Sequence, residues 1–157
     1  NLMLTIEIPG RGPIELHHVV LDYNGTIAAD GALLPGIAER IAALKDSVSF
    51  TVLTADTYGT VRAQCEPLGV AVQTFPRADA ALCKEEIVRA MDGGILCVGN
   101  GFNDIPMFDA AALRVAVLER EGLCPALLSH ADVLVTSPLD ALDLLLHPNR
   151  LRATLRS

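Results

Sequence analysis

No stretch of the chain approaches the roughly 18 consecutive apolar residues of a membrane span, and the opening NLMLTIEIPGRGP lacks the basic-then-apolar order of a secretory signal. Both absences set the expectation of a soluble, cytoplasmic protein with no membrane partner. Positive charge is also scarce. Twelve Lys and Arg stand against 19 Asp and Glu, a net charge of −7, so polyanions are repelled at long range and nucleic acid is not expected as a partner. Any phosphate has to be captured by local chemistry. Cys65, Cys83, Cys97 and Cys124 form no CxxC pair, which argues against a zinc site or a disulfide framework and for reduced, mostly buried thiols. Internal repeats, low-complexity segments and linkers are absent too.

What remains is one core's worth of chain. At 157 residues with 51% hydrophobic content, the sequence is expected to fold as a single domain over 1–157. Residues 2–8 and 14–21 carry strand formers around the PGRGP turn, predicting an opening β-hairpin. Alternation follows: a helix with Ile37, Ile41 and Leu44 on one face, a strand at 50–54, a helix at about 57–67, a strand at 70–72, and a helix at 80–91. ILCV at 95–98 reads as a buried strand, then come a short helix after Asn103 and strands near 113–118 and 132–135. Ser137 and Pro138 start a final helix striped by Leu139, Leu142 and Leu146, which Pro148 ends. Short, continuously apolar strands alternating with helices predict an α/β fold: a three-layer, Rossmann-like parallel sheet with helices on both faces.

Such sheets bind ligands beyond the carboxyl ends of their strands. Three polar clusters sit there. In LDYNGT (21–26) a strand delivers Asp22 to a turn through Asn24 and Gly25, where a carboxylate can bind a hard cation or attack phosphorus, or simply form an Asx turn. LTADT (53–57) ends a strand with Thr54, whose hydroxyl and following amides, beginning at Ala55, suit a phosphoryl oxygen; Asp56 or Thr57 can equally cap the next helix. In VGNGFNDIPMFDAA (98–111), Asp104 is placed as a second oxygen ligand for magnesium, with Asn100 and Asn103 orienting water or carboxylates. Lys84, near the start of the 80–91 helix, reads as a solvated side chain when taken alone.

Asp, Thr, Lys and Asp in this order and context resemble the haloacid dehalogenase-like (HAD) superfamily, with GNGFND a close variant of its GDGxND loop. The resemblance implies Asp22 as nucleophile, Thr54 as phosphoryl-binding hydroxyl, Lys84 as stabilising cation and Asp104 as metal-binding acid, with Mg2+ as cofactor and a phosphorylated substrate of unknown identity. Within the superfamily, DYNGT, LTADTYGT (53–60), NGFNDIPM and RLRATLR (150–156) look most like the soluble P-type ATPase-like proteins. Cap domains often cover this kind of site, but residues 27–34 and 70–83 are too short to fold as one. The expectation is an open site without a cap domain, suited to a large substrate or to closure by another subunit in a homo-oligomer. The Arg-rich end, Arg150, Arg152 and Arg156, reads as a solvated or inter-subunit face.

One position departs from the pattern in a way that matters chemically. Many phosphatases of the superfamily carry a second Asp two residues after the nucleophile, and Asn24 stands there. An amide cannot act as a general acid or base near neutral pH, although its backbone carbonyl can still ligate magnesium. Turnover is therefore expected to be slow or substrate-restricted, with Asp56 as a substitute acid/base. Two alternatives stay open: a receiver domain, which usually has an acidic pair where His17 and His18 precede Asp22, and a catalytically weak phosphate- and magnesium-binding regulatory protein of the same fold.

Overall fold

The computed structural model describes residues 2–56 and 59–157. Strands β1 (Leu4–Ile8) and β2 (Gly12–Leu16) form an antiparallel hairpin in which Leu4 faces Leu16 and Ile8 faces Gly12. β3 (His18–Asp22) starts the main sheet, and a small hairpin, β4 (Ala28–Ala29) and β5 (Ala32–Leu33), leads to α1 (Ile37–Leu44). Then come β6 (Ser49–Thr54), α2 (Thr60–Cys65), β7 (Ala71–Thr74), α3 (Ala80–Arg89), β8 (Ile95–Gly99) and α4 (Ile105–Asp109). The chain finishes with β9 (Leu113–Val117), β10 (Val133–Val135), α5 (Pro138–Leu146) and α6 (Pro148–Leu155).

Six parallel strands make the sheet in the order β10-β9-β8-β3-β6-β7, which puts β3 between β8 and β6. Helices cover both faces, as expected for the three-layer α/β fold. Side chains alternate along each strand, so one face receives Val19 and Leu21 of β3, Val52 of β6 and Leu96 and Val98 of β8. The hairpin, α1, α2, α5 and α6 pack there. The opposite face receives Val20, Leu53 and Cys97, covered by α3, α4 and the turn containing Leu127. Asp22 lies two residues beyond Val20, so the pleat directs its carboxylate to the α3 side.

Three expectations change. The 14–21 strand is two strands, because at His17 the chain leaves the hairpin: the His17 and His18 amides both donate to the Gly94 carbonyl, while the His17 carbonyl accepts from Ser49. Pro148 ends α5 but also opens α6, where proline at the first turn loses no helical hydrogen bond. Arg150 and Arg156 are exposed, in keeping with the solvated face expected of the Arg-rich end, while the apolar side of α6 packs inward. Leu151 and Leu155 are buried, and Arg152 Nε donates to the Glu7 carbonyl at 2.9 Å, tying α6 to the hairpin. The helix expected from about 57 begins at Thr60, and the alternative cap Thr57 lies outside the described residues.

Between β3 and α1 there is only the β4–β5 hairpin, and between β7 and α3 only a single 3-10 turn at Arg77–Asp79, so no cap domain stands over the sheet. All four cysteines are free, with Cys65 and Cys97 buried. No described helix is long and apolar enough to cross a membrane.

Candidate active site

The carboxyl ends of β3, β6 and β8 open into a cleft of about 710 Å³. Asp22, Asn24, Thr54, Ala55 and Lys84 all line it, together with Asn100 and Asn103. The sheet order explains the convergence: Asp22 ends the central strand, Thr54 ends its neighbour β6, and Asn100 follows β8 on the other side. Lys84 comes from α3 and is not solvated. It is 1% exposed, and Nζ donates to Asp22 Oδ2 at 3.1 Å, Asn103 Oδ1 at 2.8 Å and Asp104 Oδ1 at 2.9 Å. The Phe75 ring centroid is 5.1 Å from the same nitrogen.

Burial alone would depress the Lys84 ammonium, but the Asp104 and Asp22 charges and the hydrogen bonds it donates to both outweigh it and raise its pKa above the ordinary lysine value. Asp22 moves the other way for a carboxyl: burial, then the Asp104 charge, push it up to about 7, although Lys84 and a hydrogen bond at Tyr23 pull it down.

Asp104, expected as a metal-binding acid, is held within the protein by three donors. Oδ1 accepts from Lys84, Oδ2 accepts from the Asn100 and Gly101 amides at 3.0 Å each, and the side chain is wholly buried outside the cleft lining. Both oxygens are engaged by protein donors, so its geometry is that of an anchor for Lys84 and for the loop after β8. Gly99 makes this possible, since a Cβ there would run into the Asp104 carboxylate.

Thr54 is 2% exposed and its Oγ accepts from the Asp56 amide at 3.0 Å, which leaves its hydroxyl proton as a donor into the cleft. Asp56 itself points elsewhere. Its Oδ2 accepts from the Thr60 hydroxyl at 2.6 Å and the Val61 amide at 3.2 Å, at the start of α2, and it lines an adjoining depression instead of the cleft. The cap role thus accounts for this carboxylate better than the acid/base role.

Two charged lining residues were not anticipated: Arg77, exposed after β7, and Glu121, in the turn after β9. Both follow strand ends of the same sheet. The rule that found Asp22, Thr54 and Asn100 would have reached them, but neither sits in a recognisable motif.

A hard divalent cation fits the donors on display. Asp22, Asn24 and Asn100 line the cleft and all carry oxygen donors, and magnesium is commonly held by only one or two carboxylates with water completing its shell. Consistent with that sparse set, no three His, Cys, Asp or Glu side chains converge as a metal cage among the described residues.

No protein-family model matches the chain. Two uncharacterized proteins of Methanocaldococcus jannaschii do: one is 42% identical over 62 residues, covering 40% of this chain and 67% of that protein, and the other 46% identical over 39 residues, covering 25% and 89%. Among solved structures, a protein of Streptomyces avermitilis provisionally described as a HAD family hydrolase is 25% identical with a TM-score of 0.65, covering 85% of this chain and 87% of that one. The 3-deoxy-D-manno-octulosonate 8-phosphate phosphatase of Moraxella catarrhalis, solved with magnesium, phosphate and its sugar acid, shares the fold at a TM-score of 0.67 and 14% identity, covering 88% and 90%. The chain groups with the two archaeal proteins, and the six-stranded parallel sheet and these similarities place it in the haloacid dehalogenase-like hydrolase superfamily.

Proposed function

We propose that the protein is a magnesium-dependent phosphohydrolase or phosphoryl-transfer enzyme acting through an aspartyl-phosphate on Asp22. One observation carries the reading: the Asp22 carboxylate stands at the end of the central strand, in an open cleft, with the buried Lys84 ammonium 3.1 Å away. The solved relative from Moraxella catarrhalis, a phosphatase holding magnesium and phosphate on this fold, supports the substrate class.

Asp22 attacks phosphorus in line with the leaving oxygen, while Lys84 offsets charge on the phosphoryl group and the Thr54 hydroxyl and Ala55 amide position its oxygens. Asp104 and Asn103 hold Lys84 in place. Asp22 and the Asn24 carbonyl would hold magnesium, which would supply positive charge favouring the ionised nucleophile and the transferring oxygens. Because Asn24 donates no proton, alkyl leaving groups suffer most, and the phosphoenzyme accumulates when water lacks a base. DYNGT, the NGFND loop and the absence of a cap domain support assignment to the soluble P-type ATPase-like branch. The cleft's openness, with no cap domain above it, favours a large phosphorylated substrate or cover from a second copy of the chain.

Acetyl phosphate and p-nitrophenyl phosphate with magnesium test this directly. Covalent phosphate on Asp22 by mass spectrometry and its loss in Asp22→Asn are expected; activity unchanged in Asp22→Asn would eliminate the reading. A phosphate-release screen separates it from the regulatory alternative, which binds phosphate without consuming substrate.

A further inference from the structure

The cleft is poor in negative charge for a site expected to hold a divalent cation. Its lining contains two acids, Asp22 and Glu121, and two bases, Arg77 and Lys84. Asp22 Oδ2 already accepts from Lys84, and Asp104 accepts from Lys84 and two amides and lies outside the lining. Glu121 makes no ion pair among the described residues.

Its position is built, although the side chain is exposed. Residues 119–122 form a tight turn in which the Gly122 amide donates to the Glu119 carbonyl at 2.8 Å, with Gly122 at φ 87°. Asn100 clamps that turn to the loop after β8: its Nδ2 donates to the Gly122 carbonyl at 3.0 Å, and its own carbonyl accepts from the Cys124 amide at 2.9 Å. An aspartate at 100 could not make the first of these bonds, because a carboxylate has no proton to give a carbonyl. On the other side the Glu121 carboxylate rests on the Gly25 backbone, where a Cβ would run into Oε2, Cδ and Oε1. Gly25 immediately follows Asn24, which lines the same cleft as Asp22 and Glu121. With Nδ2 committed to Gly122, the Asn100 amide presents Oδ1 as its remaining group.

We infer that Glu121 supplies a carboxylate oxygen to the divalent cation held over Asp22, on a turn that Asn100 pins so that the carboxylate lies against Gly25. The inference rests on the reading of Asp22 as a magnesium-dependent phosphoryl acceptor. It makes Asn100 and Glu121 one device: the amide forgoes its own charge and positions a carboxylate from the next loop. The cation then meets two carboxylates, Asp22 and Glu121, with neutral oxygens from Asn24 and Asn100, a donor set suited to a hard ion.

The test measures Mn2+ binding by electron paramagnetic resonance, with Mg2+ as competitor, on the full chain without substrate. Glu121→Gln keeps the side-chain shape on an exposed residue and is expected to weaken binding by about tenfold or more, at an unchanged melting temperature of the metal-free protein. Glu121→Asp should lie between the two. Glu119→Gln removes the same charge two residues away from a side chain outside the cleft lining, and should stay within about twofold of wild type, as expected for a screened surface charge. Wild-type affinity in Glu121→Gln, or equal weakening in both variants, overturns the role of Glu121 and leaves the Asp22 reading intact. Absence of binding by the wild-type chain up to about 10 mM, beyond the weakest biological sites, overturns both.

Discussion

The two faces of the sheet are built from the same alternating strands and do opposite work. On the face that packs against the hairpin, α1, α2, α5 and α6, the buried cluster is aliphatic and aromatic apart from the Cys65 thiol, with Leu142 and Leu151 fully enclosed. On the face under α3 and α4, the same burial encloses Lys84 and Asp104. Desolvating charge is costly unless each group finds a partner, so this layer is committed to one arrangement of donors and acceptors. The difference teaches that stability and chemistry are assigned to separate layers, joined at the strand ends where β3 delivers Asp22 and β6 delivers Thr54.

Deleting the cation should produce the largest effect. Lys84→Met leaves Asp22 and Asp104 facing a buried apolar group, and breaking a buried pair in this way costs about 3–5 kcal/mol. Denaturant unfolding should show that loss, and covalent phosphate on Asp22 should disappear in the molecules that remain folded. Leu142→Ala, on the other face, should cost about 2–5 kcal/mol through the cavity it leaves, yet preserve activity per folded molecule. A drop in that specific activity would break the division between layers.

That division was partly legible in the sequence. Asp22, Thr54 and Asn100 were found because a parallel sheet gathers its strand ends, a consequence of topology that apolar runs reveal. Lys84 could be placed in the site only through its match to a familiar order of motifs, since a lone lysine on a helix looks solvated. The commitment of both Asp104 oxygens was not readable, because it depends on backbone amides folded back by the glycines around Asn100. Glu121 and Arg77 escaped for another reason: their loops carry no repeating pattern, and their position follows from the packing of β9 and β7. The α5–α6 boundary was misplaced because proline both stops one helix and suits the first turn of the next.

The pH response of the metal-free protein sharpens the contrast further. Asp22 titrates near 7 in the fold against 3.8 as an ordinary aspartate, chiefly because it is buried and then because Asp104 is near. Between those values the folded chain holds a proton at Asp22 that the unfolded chain has released, so the contribution of Asp22 to stability falls as pH rises from about 4 to about 7. Asp22→Asn removes the titration and should therefore gain on wild type by a few kcal/mol between pH 5 and pH 8, read from paired melts. A parallel pH response in the two proteins would mean that Asp22 is not the group carrying this strain.

The smallest change bears on the release of phosphate. Asn24 is exposed at the cleft and neutral, and a positioned carboxylate there would be able to protonate a leaving oxygen and later accept a proton from water. General acid–base help contributes roughly 100- to 10,000-fold when its pKa and geometry are tuned. Asn24→Asp enters a site not tuned for it, next to Glu121 on the Gly25 backbone, so only about a tenfold gain on alkyl phosphates is expected, with little change on acetyl phosphate, whose leaving group needs no proton. Burst kinetics separate the two halves of the cycle: a gain confined to the steady state places the missing function in hydrolysis of the aspartyl-phosphate, whereas a gain in the burst places it in its formation. If a folded Asn24→Asp protein shows neither, the amide at this position is not what limits turnover.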